Sequence, residues 1–486
     1  MFQNKDFMFK SIASSLVLLL MTFVAGAQKQ KPSARQPYNI VLYIADDLAA
    51  NDIGPYGSKV VRTPNLDRFA HESMLFTRAF ASSPTCSPSR STIFTGQMPV
   101  RHGAHGNHNG VKDGTSSIVQ YLQPLGYQVA IAGKLHIGPE SVFPFERIAN
   151  TNVPEPGYEN KPGLNWDLNL APVDKWLAAQ KKSKPFMLVV ADHSPHVIWP
   201  EKAEYDPKEV DIPAKHIDTK ETRASRARYY TDITKMDNNF GKVLRILEQY
   251  GLSKNTIVLF VSDQGPQWPF AKWSLYEDGV HTPLMVRWPG TVAADTKTEA
   301  LVSLSDLVPT LVQSAGGKAP EDIDGVSFLP VLRGEKNTHR EVVYATHTGD
   351  GMMNRAPARM LRTSRYKYIL NLAPEILYTT HMDKAKDHDG GREYWDSWRE
   401  KSFTDPHASA VLWRYHNHPK EELYDLEVDS LELHNLAADP AYAKLLGGFR
   451  TQLAEWRKAQ GDFFTGPEEI KEGEKKPVKP VAPYVF

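Results

Sequence analysis

Four apolar runs organise this chain, and each ends in residues that titrate or bind metals. Tyr38 to Ala45 (YNIVLYIA) leads into Asp46-Asp47, and Gln128 to Gly133 (QVAIAG) into Lys134-Leu135-His136. Phe186 to Ala191 (FMLVVA) leads into Asp192-His193-Ser194-Pro195-His196, and Thr256 to Val261 (TIVLFV) into Ser262-Asp263-Gln264-Gly265. The runs are short and apolar at nearly every position, as strands buried on both faces are. Met74 to Ala81 and Pro283 to Trp288 read as further extended segments.

Helical stretches lie between them. Thr63-Pro64 opens one, with Thr63 as cap and Leu66, Phe69 and Ala70 as its inner face. Ser87-Pro88 starts another that Gly96 stops. Others are expected at Thr115 to Leu125, Leu170 to Gln180, Glu221 to Tyr250 and Leu304 to Ala315. The alternation predicts an α/β fold with a large, mostly parallel sheet flanked by helices. Ligands in such sheets bind at the carboxyl ends of the strands, where the polar residues of this chain collect.

After about residue 340 the pattern changes. Glu341 to Thr346, Ala358 to Leu372 and Glu422 to Leu426 read as strands, and Asp439 to Gln460 as a helix. The charged stretch Asp383 to Lys401 reads as loop. The 486 residues are therefore divided into a secretory signal peptide (1–27), a catalytic domain (36–345), a smaller C-terminal α+β domain (346–465) and a charged Pro/Lys-rich tail (466–486). The signal peptide follows from Lys5 and Lys10, the apolar stretch Ile12 to Val24 and the small residues Ala25-Gly26-Ala27. Export to the periplasm or medium is expected, without stable membrane insertion, because the apolar stretch is too short to span. Basic and acidic residues balance at 57 each, which argues against nucleic acid as a partner.

Cys86 is the only cysteine, so no internal disulfide exists in a chain expected to be exported. A lone cysteine is commonly just a small buried residue. Here it opens a helix, where backbone N–H groups and the dipole favour an anion. Arg90 lies one turn on and can reach back. Asp46, Asp47 and Asp263, with the amide oxygen of Gln264, make a hard all-oxygen donor set suited to Ca²⁺ or Mg²⁺. Zinc fits less well, and Asp192 with His193 is the one place to argue for a softer metal. Lys134, His136, His196 and Lys272 add cations and bases at the same sheet edge, a pocket suited to a tetrahedral oxyanion.

The run Cys86-Ser87-Pro88-Ser89-Arg90, closed by Thr95-Gly96, fits C-x-P-S-R-x-x-x-x-T-G and resembles the signature of the type I sulfatases. Ala45-Asp46-Asp47, Gly133-Lys134-Leu135-His136, Pro195-His196, Ser262-Asp263-Gln264-Gly265 and Glu422-Leu423-Tyr424-Asp425-Leu426 resemble their sulfatase counterparts in the same order. The resemblance implies an alkaline-phosphatase-like fold. It implies that Cys86 is oxidised to formylglycine by a maturation enzyme and that the hydrated aldehyde attacks sulfur. Asp46, Asp47, Asp263 and Gln264 would bind calcium, with the modified Cys86 completing the coordination. Arg90 and Lys134 would hold the hydrate and the sulfate. His136 would act as base when sulfate is expelled, and His196 and Lys272 would bind sulfate and assist the leaving group. Gln264 departs from the Asn or His of many members; its longer arm leaves direct metal contact open.

Ala132 to Phe145, Trp413-Arg414 and Asn435-Leu436-Ala437 resemble the corresponding parts of sulfamidases, the heparan N-sulfatases. That implies exo-acting N-desulfation of glucosamine in heparan-type fragments. An O-sulfatase for another sulfated glycan, a phosphate or phosphonate ester hydrolase of the same superfamily, a sulfated-glycan-binding protein with a disabled site, and a cysteine hydrolase are the other readings. Two further places are expected to touch sugar: His102 and His105, on the Gly-rich loop Arg101 to His108, and His347, after a C-terminal strand. A homodimer stays open.

Overall fold

The computed structural model describes residues 37–154, 166–180, 184–351, 353–384 and 392–466. The expected signal peptide and all but the first residue of the expected tail lie outside them. The strands are β1 (Asn39–Ala45), β2 (Met74–Phe80), β3 (Gln128–Gly133), β4 (Glu146–Arg147), β5 (Asn152–Pro154), β6 (Trp166–Leu168), β7 (Phe186–Ala191), β8 (Thr256–Ser262), β9 (His281–Arg287), β10 (Thr296–Thr298) and β11 (Val302–Ser303). Nine of them form one sheet in the order β10-β2-β9-β8-β1-β7-β3-β4, with β11 also on β2, while β5 and β6 make a separate pair.

β8, β1, β7, β3 and β4 run parallel. β9 alone is reversed, antiparallel to both β8 and β2. Residues of β1 alternate between two cores. Val41, Tyr43 and Ala45 pack on the side of helices Pro64–His71 and Lys220–Gln249. Ile40, Leu42 and Ile44 pack on the side of helices Cys86–Thr95, Ile118–Leu122 and Leu307–Ser314. Burial on both faces is why these strands read as continuous apolar runs. Each fully buried Val, Leu or Ile contributes about 1.5–3 kcal/mol, and both layers are built of them.

Register fixes the site. Ala45 pairs with Ser262, Ile44 with Ala191, and Gly133 with Ala191. The next residues, Asp46, Asp263, Asp192 and Lys134, therefore emerge together at one edge. Gly133 can end β3 this way because its φ is 84° and it lies against the Ala191 carbonyl, where a Cβ would come within 1.9 Å. β2 reaches the same edge and hands the chain to Cys86.

The later part forms an antiparallel sheet of β12 (Val343–His347), β13 (Ala358–Arg362), β14 (Tyr366–Asn371) and β15 (Glu421–Asp425). Leu446, Phe449 and Leu453 of helix Ala443–Gln460 cover one face. Val343, Ala345, Met360, Ile369 and Tyr424 join the core of the large sheet. From Tyr38 onward the described residues form one compact unit, and the boundary expected at 345/346 falls inside β12.

One expectation is corrected here. The stretch read as loop contains helices His381–Lys384 and Arg392–Ser402, with residues 385–391 outside the described ones. Tyr394, Trp395 and Trp398 are buried, and Trp398 Nε1 donates to Thr222 Oγ1 at 2.7 Å. A third helix, Pro406–His416, follows, with the Asp405 carboxylate accepting from the His407 and Ala408 N–H groups.

Candidate active site

Cys86 is the first residue of its helix and is 1% exposed. Gly96 ends that helix in the left-handed conformation, φ 71°. Around the sulfur stand groups from three strand ends. Sγ lies 3.8 Å from Asp47 Oδ1, 4.0 Å from Asp46 Oδ1 and 3.9 Å from Lys134 Nζ, and Gln264 Nε2 donates to it at 3.2 Å. Burial pushes the thiol up to about 12; Lys134 and Lys272 oppose this, and Asp47 and Asp46 add to it. At neutral pH the unmodified side chain is a neutral thiol, and the thiolate is the nucleophilic form.

Asp46, Asp47 and Asp263 are fully buried. Arg90 bridges two of them, Nε to Asp263 Oδ2 at 2.7 Å and Nη2 to Asp46 Oδ1 at 3.1 Å. Lys134 Nζ reaches Asp46 Oδ2 at 2.5 Å and Lys272 Nζ reaches Asp47 Oδ2 at 2.6 Å. Burial alone would raise the Asp46 carboxyl, but Lys134 and Arg90 outweigh it and hold it well below the usual range. Asp263 moves the other way: burial raises it, Arg90 opposes, and the Asp46 and Asp47 charges push it further up. Three carboxylates are thus crowded at one point, among three cations: Arg90 between Asp46 and Asp263, Lys134 on Asp46 and Lys272 on Asp47.

That crowding fits a divalent cation. Oxygen and sulfur atoms of Asp46, Cys86 and Asp263 lie within 4.8 Å of one another. Gln264 Oε1 is buried and has no hydrogen-bond partner among the described residues, while its Nε2 contacts Asp47 Oδ1. Four oxygen donors of this kind suit a hard ion. His196 stands on the other side of Asp47, its Nε2 3.7 Å from Oδ2 and accepting from Lys272 Nζ at 3.1 Å. Burial holds the imidazole down to about 4, helped by Lys272 and Lys134.

The structure thus gathers Asp46, Asp47, Cys86, Arg90, Lys134, His196, Asp263, Gln264 and Lys272 around one centre. His136 follows at the β3 edge, with Nε2 2.9 Å from His108 Nδ1. Burial, then Lys134, keeps His136 well below the ordinary histidine range.

Three expected sugar contacts sit elsewhere. His102 is fully buried under the Cys86 helix, with Nε2 3.2 Å from Thr92 Oγ1 and Nδ1 accepting from the Ala104 N–H. His105 packs edge-on against Phe464. His347 is the last residue of β12, 1% exposed. Asp192 with His193 is not a metal pair either. Asp192 accepts from Tyr43, Asn239 and the N–H groups of His193 and Ser194, which occupies the carboxylate with structural work. Of the histidines on the Arg101–His108 loop, His108 is the one at the site, and its neighbour Asp350 was not foreseen. Asp350 Oδ2 accepts from Trp273 Nε1 at 2.8 Å and Asn107 Nδ2 at 2.9 Å, tying the small sheet's first loop to the Lys272 loop. Composition does not separate three histidines on one loop, and Asp350 reaches the site only through the docking of β12.

Residues 38–317 match the sulfatase family model. The chain belongs to the sulfatase family. Residues 266–405 match the C-terminal model of N-sulphoglucosamine sulphohydrolase. This sulfatase is 32% identical to an ulvan-active sulfatase of Formosa agariphila, covering 90% of this chain and 83% of that protein. It is 30% identical to the N-sulphoglucosamine sulphohydrolase of Homo sapiens, over 91% of this chain and 94% of that one. A solved structure in complex with its substrate D-glucosamine-2-N,6-O-disulfate shares the fold at TM-score 0.66 and 20% identity, covering 88% of this chain and 99% of that one. The alkaline-phosphatase-like sheet and smaller antiparallel sheet are those of sulfatases, and the protein is a sulfuric ester or sulfamate hydrolase acting on sulfated sugars. Among the described residues no helix is long and apolar enough to cross a membrane.

Proposed function

We propose that this sulfatase removes the N-sulfate from glucosamine at the end of heparan-type fragments, using calcium and a formylglycine made from Cys86. The observation that carries the cofactor reading is the state of Cys86. A thiol pushed up to about 12 in a ring of three carboxylates is a poor nucleophile. Its surroundings suit instead an oxygen nucleophile beside a hard cation. The substrate reading rests on the match of residues 266–405 and on the human relative.

Asp46, Asp47, Asp263 and Gln264 Oε1 would hold the ion, which supplies positive charge to the sulfate oxygens and to the hydrated aldehyde that supplies the attacking oxygen. The chain's own groups do the rest. Lys134 and Lys272, paired now with Asp46 and Asp47, are the cations that would turn to the sulfate. Arg90 keeps Asp46 and Asp263 fixed. Lys272 Nζ donates to His196 Nε2, and the two would assist the departing nitrogen together, with the Lys272 ammonium as the proton donor. His136 would take the proton released when sulfate leaves. Asp350 closes one side of the site with the C-terminal part of the chain, which supports action at a chain end. The maturation enzyme is a required partner, and residues 1–27 support export.

Sulfate release from heparin disaccharides that differ in N-, 2-O- and 6-O-sulfation tests this reading. Release confined to N-sulfated glucosamine is expected; release only from O-sulfated forms would refute it. The ulvan-active relative favours a second reading, an O-sulfatase for another glycan, so ulvan oligosaccharides belong in the same panel. Intact mass should show the Cys86 thiol replaced by an aldehyde in protein made with a maturation enzyme. A sulfate and a phosphate ester of one aryl alcohol separate the sulfatase from a phosphohydrolase.

A further inference from the structure

We propose that His108 is a positioning residue for His136, fixing the tautomer that leaves His136 Nδ1 as the base; this rests on the role given to His136 above. His136 Nε2 and His108 Nδ1 are 2.9 Å apart, with ring centroids at 4.8 Å and planes tilted by 40°. One nitrogen must donate and the other accept. The charges around the pair decide which.

His108 Nε2 lies 3.6 Å from Asp350 Oδ1, and Asp350 is 5% exposed. A carboxylate draws the proton to the nitrogen that faces it, so His108 carries it on Nε2 and presents a lone pair at Nδ1. His136 then donates from Nε2. Its other nitrogen, Nδ1, is buried and has no hydrogen-bond partner among the described residues. Asn107 Nδ2, 3.3 Å from His108 Nε2, would favour the opposite arrangement. That arrangement would leave a buried N–H on His136 Nδ1 without an acceptor, under the positive charge of Lys134 and Arg90. A lone pair suits those cations and an N–H does not. The groups facing His136 are Lys134, His108, Arg90 and Asp46; those facing His108 are Asp350, Lys134, Lys272 and His381.

The pairing is built into the backbone. Both residues have positive φ, 67° at His108 and 45° at His136, a conformation that side-chain-bearing residues seldom adopt. The Val111 N–H donates to the Gly138 carbonyl at 2.8 Å and ties the two loops. His108 itself is exposed, so it contributes little to the core and is free to be replaced.

The test compares the full chain with His108→Leu, which removes both nitrogens, and His108→Asn, which keeps an acceptor near the Nδ1 position. In protein labelled with [15N]histidine, His136 being assigned by His136→Gln, wild type should show His136 Nδ1 unprotonated and Nε2 protonated. His108→Leu should show mixed tautomers and His108→Asn the wild-type form. On the matured enzyme, His108→Leu should lower kcat by about tenfold to a hundredfold with KM nearly unchanged and shift the acidic limb of the kcat profile, and His108→Asn should recover most of it. A protonated Nδ1 in wild type, or a tautomer and kcat indifferent to His108→Leu, overturns the proposal. If the protein released no sulfate from any substrate, the catalytic reading would fail, and the tautomer measurement would still decide the pairing.

Discussion

Gln264 is the residue whose two ends do different things. Its Nε2 serves Cys86 and Asp47, and its Oε1 is left over in a buried place. A buried amide oxygen without a partner costs about 1–3 kcal/mol unless something positive meets it. If that is a calcium ion, Gln264→Leu should weaken calcium binding at least about tenfold, measured by calorimetry on chelator-stripped protein. Unchanged affinity would remove Gln264 from the ligand set. His102 and His347 make a prediction of another kind. Burial holds the first down to about 3 and the second to about 4. The unfolded chain protonates at about 6.5, so below that pH it takes up protons that the native state refuses. Stability present at neutral pH is therefore lost as pH falls from about 6.5 towards 4. At pH 5 each such histidine costs up to about 2 kcal/mol. Urea midpoints should fall between pH 7 and pH 5, and His102→Gln should flatten the fall.

At the scale of elements, the strands were legible because two-sided burial leaves an uninterrupted apolar run. β3 and β7 begin and end where the sequence places them. The reversal of β9 was not legible, since an apolar strand reads the same in either direction. Helix Arg392–Ser402 was hidden by its charges: Tyr394, Trp395 and Trp398 make a narrow aromatic stripe between exposed ionic residues. Much of the Cys86 side of the site could be read because Asp46, Asp47, Lys134, Asp263 and Gln264 follow directly on strands. The His108–Asp350 side could not, because it depends on a loop and on the docking of a second sheet. Gly133 joins strand and site. Gly133→Ala adds the left-handed penalty of about 1–2 kcal/mol to a collision with the Ala191 carbonyl. A urea titration should show the loss, larger than that penalty alone. Lys134 would be displaced with it, so activity per folded molecule should fall as well. A variant with wild-type stability and turnover would mean that this edge is far more pliant than its register implies.

Across the whole molecule the smaller sheet is part of the catalytic body, and buried charge holds the joint. Lys367 of β14 is fully buried; its Nζ lies 2.7 Å from Glu277 and 2.7 Å from Glu432, and donates to the Leu275 carbonyl at 3.1 Å. Leu275 follows closely on Lys272, and Tyr276 beside it donates to Glu422 of β15 at 2.8 Å. The loop that presents Lys272 to Asp47 is therefore clamped by the C-terminal sheet. Removing one member of a buried pair leaves the other charge unpaired, at a cost of about 3–5 kcal/mol. Lys367→Met should show a loss of that size. Adding Glu432→Gln should return part of it, because Arg362 still meets Glu277 at 3.2 Å while Glu432 has lost its charge. Since Val343, Met360 and Tyr424 lie in the same core as the large sheet, both variants should still unfold in one step. Two separate transitions, with the sulfatase body melting as in wild type, would show the small sheet to be an independent domain. Turnover should fall more than stability in Lys367→Met if the clamp positions Lys272, and the sulfate concentration needed to inhibit should rise with it.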